Sequence, residues 1–374
     1  MENRFREIFG EDELFTVEAP GRIELGGNHT DHQRGLVLAS PARLKIKAWV
    51  RPTYSDEINV YSEGRGMFNL SVSDLVVHEE EKRTSISLMR GMAAQFADND
   101  VSGFNAYIDS DVPSGSGLSS SAAMEILFGK ILSAVTKTPK SWIELAQMGM
   151  KVENEYFGKP CGLLDQMACA ASGIIAIDFA DPDHPRVEEL DYDFTKAGYR
   201  ICVVKCGADH ETMTDSYASV PLEMEKVCAV FGKKYLREIP EDEFYRDILK
   251  VREACGDRAV LRAIHIYNDN KRVDNMVKAL KENNIETYLT QVRESGRSSW
   301  GLLQNVVPSG ATVHQDMAFT LTMAEHILHG RGAVRVHGGG FAGTVQAYVP
   351  LDMEYYFKEK MESLMGEGSC FFMN

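Results

Sequence analysis

The stretch PSGSGLSSSAA, residues 113–123, places two glycines and five serines in a short loop that runs directly into an apolar helical pattern. A glycine-rich loop before a helix presents unpaired backbone N–H groups and the positive end of the helix dipole to one point in space. Glycine lets a ligand approach the backbone closely, and serine hydroxyls donate to phosphate oxygens or bind a hard cation. The stretch therefore predicts a phosphate site, and its plainer alternative is a flexible loop followed by a serine N-cap.

Two common phosphate motifs are excluded by the residues that follow. No Gly-Lys-Ser/Thr triplet closes the loop, as a Walker A motif requires, and the third glycine of a dinucleotide-binding fingerprint is missing. The three serines followed by two alanines are the more specific feature of the stretch.

Composition limits the class of protein. The chain has 374 residues, of which 44% are hydrophobic and 25% charged, as expected of a globular protein with two domains. A formal net charge of -15 argues against general binding to nucleic acid or to an anionic membrane. The charged N-terminus and the lack of a long apolar run predict a cytoplasmic protein. The 7 cysteines form no Cys-x-x-Cys pair, and we expect reduced thiols.

Hydrophobic periodicity predicts strands interspersed with helices. The predicted strands are 43–50, 104–108 and 200–205, and the predicted helices are 119–137 and 142–157. Ser141 and Glu144 have the spacing of a capping box at the start of the second helix. The acidic stretch 181–196 suits a surface connection or a hairpin, and we place the boundary between the two domains near residue 200.

The serine-glycine stretch resembles the nucleotide-binding signature of the GHMP small-molecule kinases, and the rest of the chain resembles the galactokinases within that superfamily. Four further segments carry the resemblance in the family's order: PGRIELGGNHTDHQRGLVL (20–38), GKPCGLLDQM (158–167), HIYNDNKRV (265–273) and GAVRVHGGGFAGT (332–344). The resemblance implies an α+β, two-domain GHMP kinase fold with the active site in the inter-domain cleft. Its domains would be 1–200, with the sugar signature and phosphate loop, and 201–374, with the third, glycine-rich motif.

The resemblance implies an ATP-dependent sugar 1-kinase, and most simply a galactokinase. Asp165 matches the catalytic aspartate that accepts or orients the proton of the sugar's anomeric hydroxyl. Arg22 matches the arginine beside the anomeric oxygen, where it would stabilise developing charge and keep Asp165 ionised. The alternatives from the residues alone are a helix N-cap for Asp165 and a surface ion pair for Arg22.

Glu153 and Ser121 match the family's ligands for Mg²⁺. The residues independently place Glu153 on a helix face that is otherwise apolar, and a carboxylate that faces inward needs a counter-charge. The apolar stripe consists of Ile143, Ala146, Gly149, Met150 and Phe157. The alternative to a metal site is a buried ion pair between Glu153 and an arginine.

The implied sugar contacts are Asn28, His29, Asp31, Gly162 and Tyr217. The family usually has glutamate where this chain has Asn28, and that glutamate contacts the C6 hydroxyl of the sugar. An asparagine would remove repulsion of a C6 carboxylate, so the sequence leaves open a kinase for a C6-modified sugar such as galacturonate. The HTDH string, residues 29–32, is better explained by a polar sugar site than by a metal site, because no third ligand accompanies it.

The implied ATP contacts are Ser114, Gly115, Ser116, Gly117, Leu118, Ser119, Ser120, Gly339 and Gly340. The aromatic residues that the family usually places before the nucleotide face are absent from 81–91, so no adenine contact is assigned. The implied cofactors are ATP and Mg²⁺, and the expected partners are a small-molecule sugar and ATP, with no protein partner required. A galactokinase-like sensor that binds sugar without turnover is the non-enzymatic alternative, which the intact loop beside Asp165 disfavours.

Overall fold

A computed structural model describes residues 1–11, 13–113, 115, 117–207 and 214–373. The chain forms two compact units. The first unit comprises Met1–Arg22, Pro41–Ser114 and Leu118–Ser172. The second unit comprises Ile23–Ser40, Gly115–Gly117 and Gly173–Asn374.

Strands and helices alternate along the described chain. The strands are β1 (Phe15–Gly26), β2 (Leu36–Pro52), β3 (Glu57–Ser62), β4 (Gly66–Ser71), β5 (Phe104–Ser110), β6 (Ile174–Asp178), β7 (Arg186–Leu190), β8 (Tyr199–Lys205), β9 (Ala333–His337), β10 (Thr344–Pro350) and β11 (Cys370–Phe372). The helices are α1 (Glu2–Phe9), α2 (Ser85–Ala94), α3 (Ser120–Val135), α4 (Trp142–Val152), α5 (Leu164–Ala170), α6 (Thr214–Val230), α7 (Glu241–Arg246), α8 (Ile248–Cys255), α9 (Asp257–Lys281), α10 (Ile285–Ser298), α11 (Asp316–Leu328) and α12 (Glu354–Met365).

The first unit packs helices against a sheet. The second part of β2 pairs antiparallel with β5, which pairs in parallel with β3, and β3 forms a hairpin with β4. The predicted strands 43–50 and 104–108 lie in β2 and β5, and the predicted helix 119–137 is α3. Helix α3 packs against α2, α4 and α5, and most of its residues are buried because its sequence is apolar on nearly every side.

The second predicted helix begins as the sequence indicates and ends in a wider turn. The Ser141 side chain accepts from the Glu144 N–H, and the Glu144 carboxylate accepts from the Ser141 N–H, so the predicted capping box is confirmed. Helix α4 is followed directly by a π-helical turn, Glu153–Phe157, which ends at Gly158 with φ of 73°. Such turns inside helices often mark functional sites, because they reorient side chains relative to the α-helical register.

The second unit contains a four-stranded antiparallel sheet in the order β11-β8-β10-β9. The predicted strand 200–205 lies in its β8. The first part of β2 pairs with β6, and β6 pairs with β7, so the stretch 181–196 contains a hairpin connection. One core lies between this unit's four-stranded sheet, α11 and α12, and a second is formed by α6, α8 and α9.

The cysteines agree with the expectation of reduced thiols. All seven are free, and Cys202 and Cys206 are buried. The compact units are discontinuous in sequence because the chain passes between them within β1 and β2, so the continuous domains 1–200 and 201–374 stay a prediction. Among the described residues, no helix combines the length and the apolar character needed to cross a membrane.

Candidate active site

An ion pair joins the two residues that the sequence assigns to the chemistry. Nε of Arg22, on β1, donates to Oδ1 of Asp165, in the first turn of α5, at 2.7 Å. The Arg22 side chain is 6% exposed and the Asp165 side chain 22% exposed, so the pair is not a surface ion pair. The Arg22 N–H also donates to the carbonyl of Leu118 at 3.0 Å, which fixes β1 to the end of the serine-glycine stretch.

Asp165 is held in its ionised form. Burial by itself would raise its pKa, but the charges of Arg22 and then Lys159 outweigh this effect and lower the pKa to about 2. The side chain of Ser119 contributes a hydrogen bond to the same carboxylate. Asp165 is therefore a carboxylate at neutral pH, with one arginine and one serine of the loop directed at it.

Ser119 adopts a backbone conformation that serine rarely takes. Its φ is 57° and ψ 56°, in the left-handed region, and its side chain does not cap α3. The alternative interpretation of the loop was a serine whose side chain caps the helix, and the structure does not show such a cap at Ser119. The hydroxyl is instead bonded to Asp165, and strain of this kind tends to occur where a side chain must be aimed.

Glu153 occupies a fully buried position in the π-helical turn, as its apolar helix face predicted. Oγ of Ser121 donates to its Oε1 at 2.7 Å, and Nε2 of Gln166 donates to its Oε2 at 2.7 Å. Nζ of Lys159 lies 3.1 Å from the same Oε1. The counter-charge is thus a lysine, and the sequence reasoning, which considered an arginine, missed both Lys159 and Gln166.

Glu125 is a second buried carboxyl group beside Glu153, and sequence reasoning missed it as well. Nε2 of Gln166 donates to Oε2 of Glu125 at 3.0 Å, so one amide bridges the two acids. Oε1 of Glu125 is buried without a hydrogen-bond partner among the described residues. Burial and then the charge of Glu153 raise the pKa of Glu125 well above its usual range. The sequence did contain a signal for this group, because Glu125 is the one acidic residue in the otherwise largely apolar sequence of α3.

The Ser121 and Glu153 oxygens fit the chemistry of Mg²⁺. This ion is bound by one or two protein oxygens together with water and substrate phosphates, so it does not need a complete protein cage. No group of three or more His, Cys, Asp or Glu side chains that could hold a metal ion occurs in the part of the chain that the structure describes.

The second unit holds a separate group of the predicted residues in the His29 turn, residues 27–34. His29 has φ of 62°, and its Nε2 donates to the carbonyl of Gly339 at 2.9 Å. The centroid of its ring lies 5.3 Å from the centroid of the Tyr217 ring, and Nε2 of His32 is 3.1 Å from the Tyr217 hydroxyl. The structure therefore brings His29, Asp31 in the same turn and Tyr217 into one neighbourhood.

Burial lowers the pKa of His29 to about 3, with a further contribution from the charge of His32. The imidazole is therefore neutral at physiological pH. Its Nδ1 is buried and has no hydrogen-bond partner among the residues that the structure describes. A neutral ring whose Nε2 donates to Gly339 presents Nδ1 as an acceptor, which suits a ligand hydroxyl.

The glycines of the last motif have structural reasons to be glycine. A Cβ on Gly339 would collide with the ring of Tyr217, and one on Gly340, whose φ is 78°, would collide with Asn305. In the serine-glycine stretch, Gly115 and Gly117 have φ of 70° and 68°. The predicted contacts Ser114 and Ser116 lie outside the described residues.

The remaining predicted residues have these positions. Leu118 is buried, and Ser120 is the first residue of α3. Gly162 lies between the π-helical turn and α5 in the first unit, on the segment that leads to Asp165. Asn28 is completely buried, and both of its side-chain polar atoms are hydrogen-bonded to protein groups. Its geometry therefore does not support the predicted direct sugar contact.

Two family models match segments that contain these residues. The model described as the GHMP kinases N terminal domain matches residues 87–173, which include the serine-glycine stretch and Asp165. The model described as the galactokinase galactose-binding signature matches residues 3–52, which include Arg22 and the His29 turn.

Curated relatives extend the likeness to nearly the whole chain. The galactokinase of Glaesserella parasuis serovar 5 (strain SH0165) is 28% identical over 97% of this chain and 90% of its own length. The galactokinase of Haemophilus influenzae (strain ATCC 51907 / DSM 11121 / KW20 / Rd) is 28% identical over 90% of this chain and 85% of its own length.

Solved structures confirm the predicted α+β fold. Lactococcus lactis galactokinase complexed with galactose matches with a TM-score of 0.85 at 23% identity, covering 100% of this chain and 96% of that chain. Methanococcus jannaschii mevalonate kinase matches with a TM-score of 0.67 at 16% identity, covering 97% of this chain and 100% of that chain.

Proposed function

We propose that the chain is a sugar kinase of the GHMP kinase superfamily, and that it transfers the γ-phosphoryl group of ATP to the anomeric hydroxyl of galactose. The products are galactose 1-phosphate and ADP. The observation that carries the proposal is the shielded Arg22–Asp165 pair, with Ser119 of the serine-glycine stretch bonded to the same carboxylate. The curated relatives, which are galactokinases, support galactose as the sugar.

Asp165 orients the anomeric hydroxyl and takes its proton as the new O–P bond forms and the bond from the γ-phosphorus to the bridging oxygen breaks. With a pKa of about 2 it is a weak base, so it does not remove the proton before phosphoryl transfer starts. A loose transition state makes little demand on a strong base and depends on positioning and charge stabilisation. Arg22 supplies positive charge beside the reacting oxygen and keeps Asp165 ionised.

The triphosphate is held by the serine-glycine stretch and the start of α3. We assign to it Ser114, Gly115, Ser116, Gly117, Leu118, Ser119 and Ser120. A 16-residue helix offers its first N–H groups to anions, and positive φ at Gly115 and Gly117 turns further N–H groups inward. Gly339 and Gly340 are required by packing, and their approach to the nucleotide stays a prediction.

Ser121 and Glu153 would hold Mg²⁺, which when bound neutralises phosphate charge. Ser121 offers a neutral oxygen and Glu153 a carboxylate, and Gln166 orients that carboxylate from its other oxygen. Lys159 supplies a further positive charge at Glu153 and also lowers the pKa of Asp165. Lys159 therefore electrostatically links the proposed metal ligands to the proposed catalytic pair.

We assign the sugar contacts to His29, Asp31 and Tyr217 of the second unit, and a contact from Gly162 stays a prediction. The unpartnered Nδ1 of His29 is an acceptor for a sugar hydroxyl, and Tyr217 adds an aromatic face beside it. The galacturonate alternative depended on Asn28 facing the C6 position. Because Asn28 is buried and its amide N–H groups are bonded to protein acceptors, that argument loses its basis, and galactose is the preferred substrate.

A sugar panel tests the proposal directly. Purified protein is supplied with ATP, Mg²⁺ and galactose, glucose, galacturonate or mevalonate, and ADP release is followed together with ³¹P NMR of the product. We expect turnover with galactose and an anomeric phosphate that blocks the reducing end. A higher kcat/KM for galacturonate or mevalonate than for galactose would show that galactose is not the preferred substrate. Binding of galactose without product would indicate a sensor.

A further inference from the structure

The side chain of Asn28 is bound on all sides by the second unit. Its Nδ2 donates to Oε1 of Glu24 at 2.9 Å and to the carbonyl of Gly338 at 2.6 Å. Its Oδ1 accepts from Nδ2 of Asn305 at 2.8 Å. An asparagine amide has two N–H donors, so both are occupied by protein acceptors and neither remains for a ligand.

The orientation of this amide is fixed by its partners. Rotation by half a turn would place Oδ1 against the Glu24 carboxylate and the Gly338 carbonyl, which are both acceptors. The same rotation would place Nδ2 against the N–H groups of Asn305. Only the observed orientation satisfies the neighbouring groups.

The backbone of Asn28 is anchored to α9. Its N–H donates to Oδ2 of Asp269 at 2.8 Å, and its carbonyl accepts from Nε2 of His265 at 3.0 Å. Asp269 and His265 are both fully buried, and Nδ1 of His265 lies 2.8 Å from Oγ of Ser298. Residue 28 is thus the point at which α9 fixes the start of the His29 turn.

The same network joins the His29 turn to the glycine turn, residues 338–340. Asn28 bonds the carbonyl of Gly338, and His29 bonds the carbonyl of Gly339. Nδ2 of Asn305 donates to the carbonyl of Gly339 at 3.3 Å and also to Oδ1 of Asn28. Loss of the Asn28 amide would remove the bond to Gly338 and leave the bond from His29 to Gly339.

The side-chain amide of Asn28 faces one carboxylate, that of Glu24, and this carboxylate is paired with one arginine. Oε1 of Glu24, which accepts from Asn28, also accepts from the guanidinium of Arg335 at 2.7 Å. Both side chains of this ion pair are buried. A carboxylate at position 28 would face Glu24 within hydrogen-bond distance, and two such charges cannot share one arginine without a large desolvation cost.

We propose that Asn28 is a positioning residue that fixes the His29 turn to the glycine turn, and that positions 24 and 28 form a pair requiring one carboxylate and one amide. The proposal deepens the proposed function and rests on it, because it assigns the C6 end of galactose to groups other than Asn28. Sugar affinity then depends on where the turn holds His29 and Asp31, not on a bond from residue 28.

Kinetics with two sugars separates positioning from direct contact. Asn28→Ala is compared with wild type for galactose and for 6-deoxygalactose, which lacks the C6 hydroxyl. A displaced turn should raise KM for both sugars at least about 10-fold and leave the ratio of their kcat/KM values unchanged. If the ratio falls towards one, Asn28 contacts C6 and the proposal is wrong. An unchanged KM in folded Asn28→Ala also overturns positioning.

Asn305→Ala provides a milder variant should Asn28→Ala fold poorly. It removes the bonds to Asn28 and Gly339 without altering Glu24 or Arg335. We expect a smaller rise in KM, again equal for the two sugars. A change confined to galactose would contradict the proposal.

A thermal unfolding cycle tests the pair at positions 24 and 28 without any substrate. Asn28→Asp should lower Tm by about 5 °C or more, because it creates the second buried carboxylate. Glu24→Gln alone leaves Arg335 without its acid and should also lower Tm. The double variant Glu24→Gln/Asn28→Asp restores one carboxylate and one amide, and its loss should be clearly smaller than the sum of the single losses.

Additive losses in this cycle would overturn the requirement for one carboxylate and one amide. The cycle and the sugar panel also separate the two proposals. Lack of galactose turnover in wild type would refute the proposed function, whereas the Tm cycle would still report on the pair.

Discussion

Nε of Arg22 lies 2.7 Å from Oδ1 of Asp165, and both side chains are largely shielded from solvent within the first unit. This contact joins two residues that are 143 positions apart in the sequence. It explains why a carboxylate that burial would neutralise remains ionised. The chemistry of the proposed reaction depends on this pair, and two predictions follow from it.

Asp165→Asn should lower turnover by roughly 10²-fold or more, because the amide keeps the shape but cannot accept the proton of the sugar hydroxyl. Galactose binding, measured by calorimetry, should survive. Asp191→Asn, at an exposed aspartate, is the matched control and should retain full turnover. Near-normal turnover in a folded Asp165→Asn protein would remove Asp165 from the catalytic role.

The pH dependence of kcat/KM should depend on Arg22. In wild type the pKa of Asp165 is about 2, so its ionisation should produce no acid limb between about pH 5 and 9. Arg22→Ala removes the largest charge that opposes burial, so the pKa of Asp165 should rise and an acid limb should move upward into the measured range. Arg22→Lys keeps the charge and should not show this limb. Parallel profiles for Arg22→Ala and wild type would contradict the electrostatic role.

Glu153→Gln should weaken Mg²⁺ use, because one charged oxygen ligand is replaced by an amide. We expect the Mg²⁺ concentration for half-maximal activity to rise about 10-fold or more. Binding is measured separately by the rise in Tm that Mg²⁺ and a non-hydrolysable ATP analogue produce, which should shrink in the variant. Glu155→Gln, at an exposed neighbouring glutamate, is the control. An unchanged Mg²⁺ dependence would leave Glu153 as a buried ion-pair partner of Lys159.

Local features of the sequence were sufficient for the elements around the site. Ser141 and Glu144 stand three residues apart, and this spacing alone specifies a capping box. The apolar stripe of α4 likewise predicts that Glu153 faces inward. The π-helical turn that carries Glu153 was not predicted, because no local pattern distinguishes its wider turn from the preceding α-helix.

Long-range contacts account for what sequence reasoning missed. Asn28 meets Asn305 and Gly338 across 277 and 310 positions of the chain, and no periodicity reports such pairs. The family resemblance suggested a sugar contact at Asn28, but it contained no information about the acceptors that occupy this particular side chain. Gln166 was missed for the same reason, because its amide links two acids on separate helical segments.

His29 should make the stability of the protein fall as the solution becomes acidic. Its pKa is about 3 in the folded protein and near 6.5 when unfolded, so between these values the unfolded state binds a proton that the folded state does not. Stability therefore rises with pH in this window and is lost as pH falls below about 6.5. Between about pH 7.5 and about pH 5.5, His29 alone should remove on the order of 1 kcal/mol from the free energy of unfolding.

Urea unfolding of wild type and His29→Asn at these two pH values measures the difference. Asparagine is chosen because it tolerates the positive φ of 62° at this position. The variant loses the bond to Gly339 at both pH values, so only the pH-dependent part of the change reports on titration. His314→Asn, at an exposed histidine, should follow wild type. If His29→Asn loses as much stability on acidification as wild type does, the buried neutral state of His29 is wrong, and so is its role as a hydrogen-bond acceptor for the sugar.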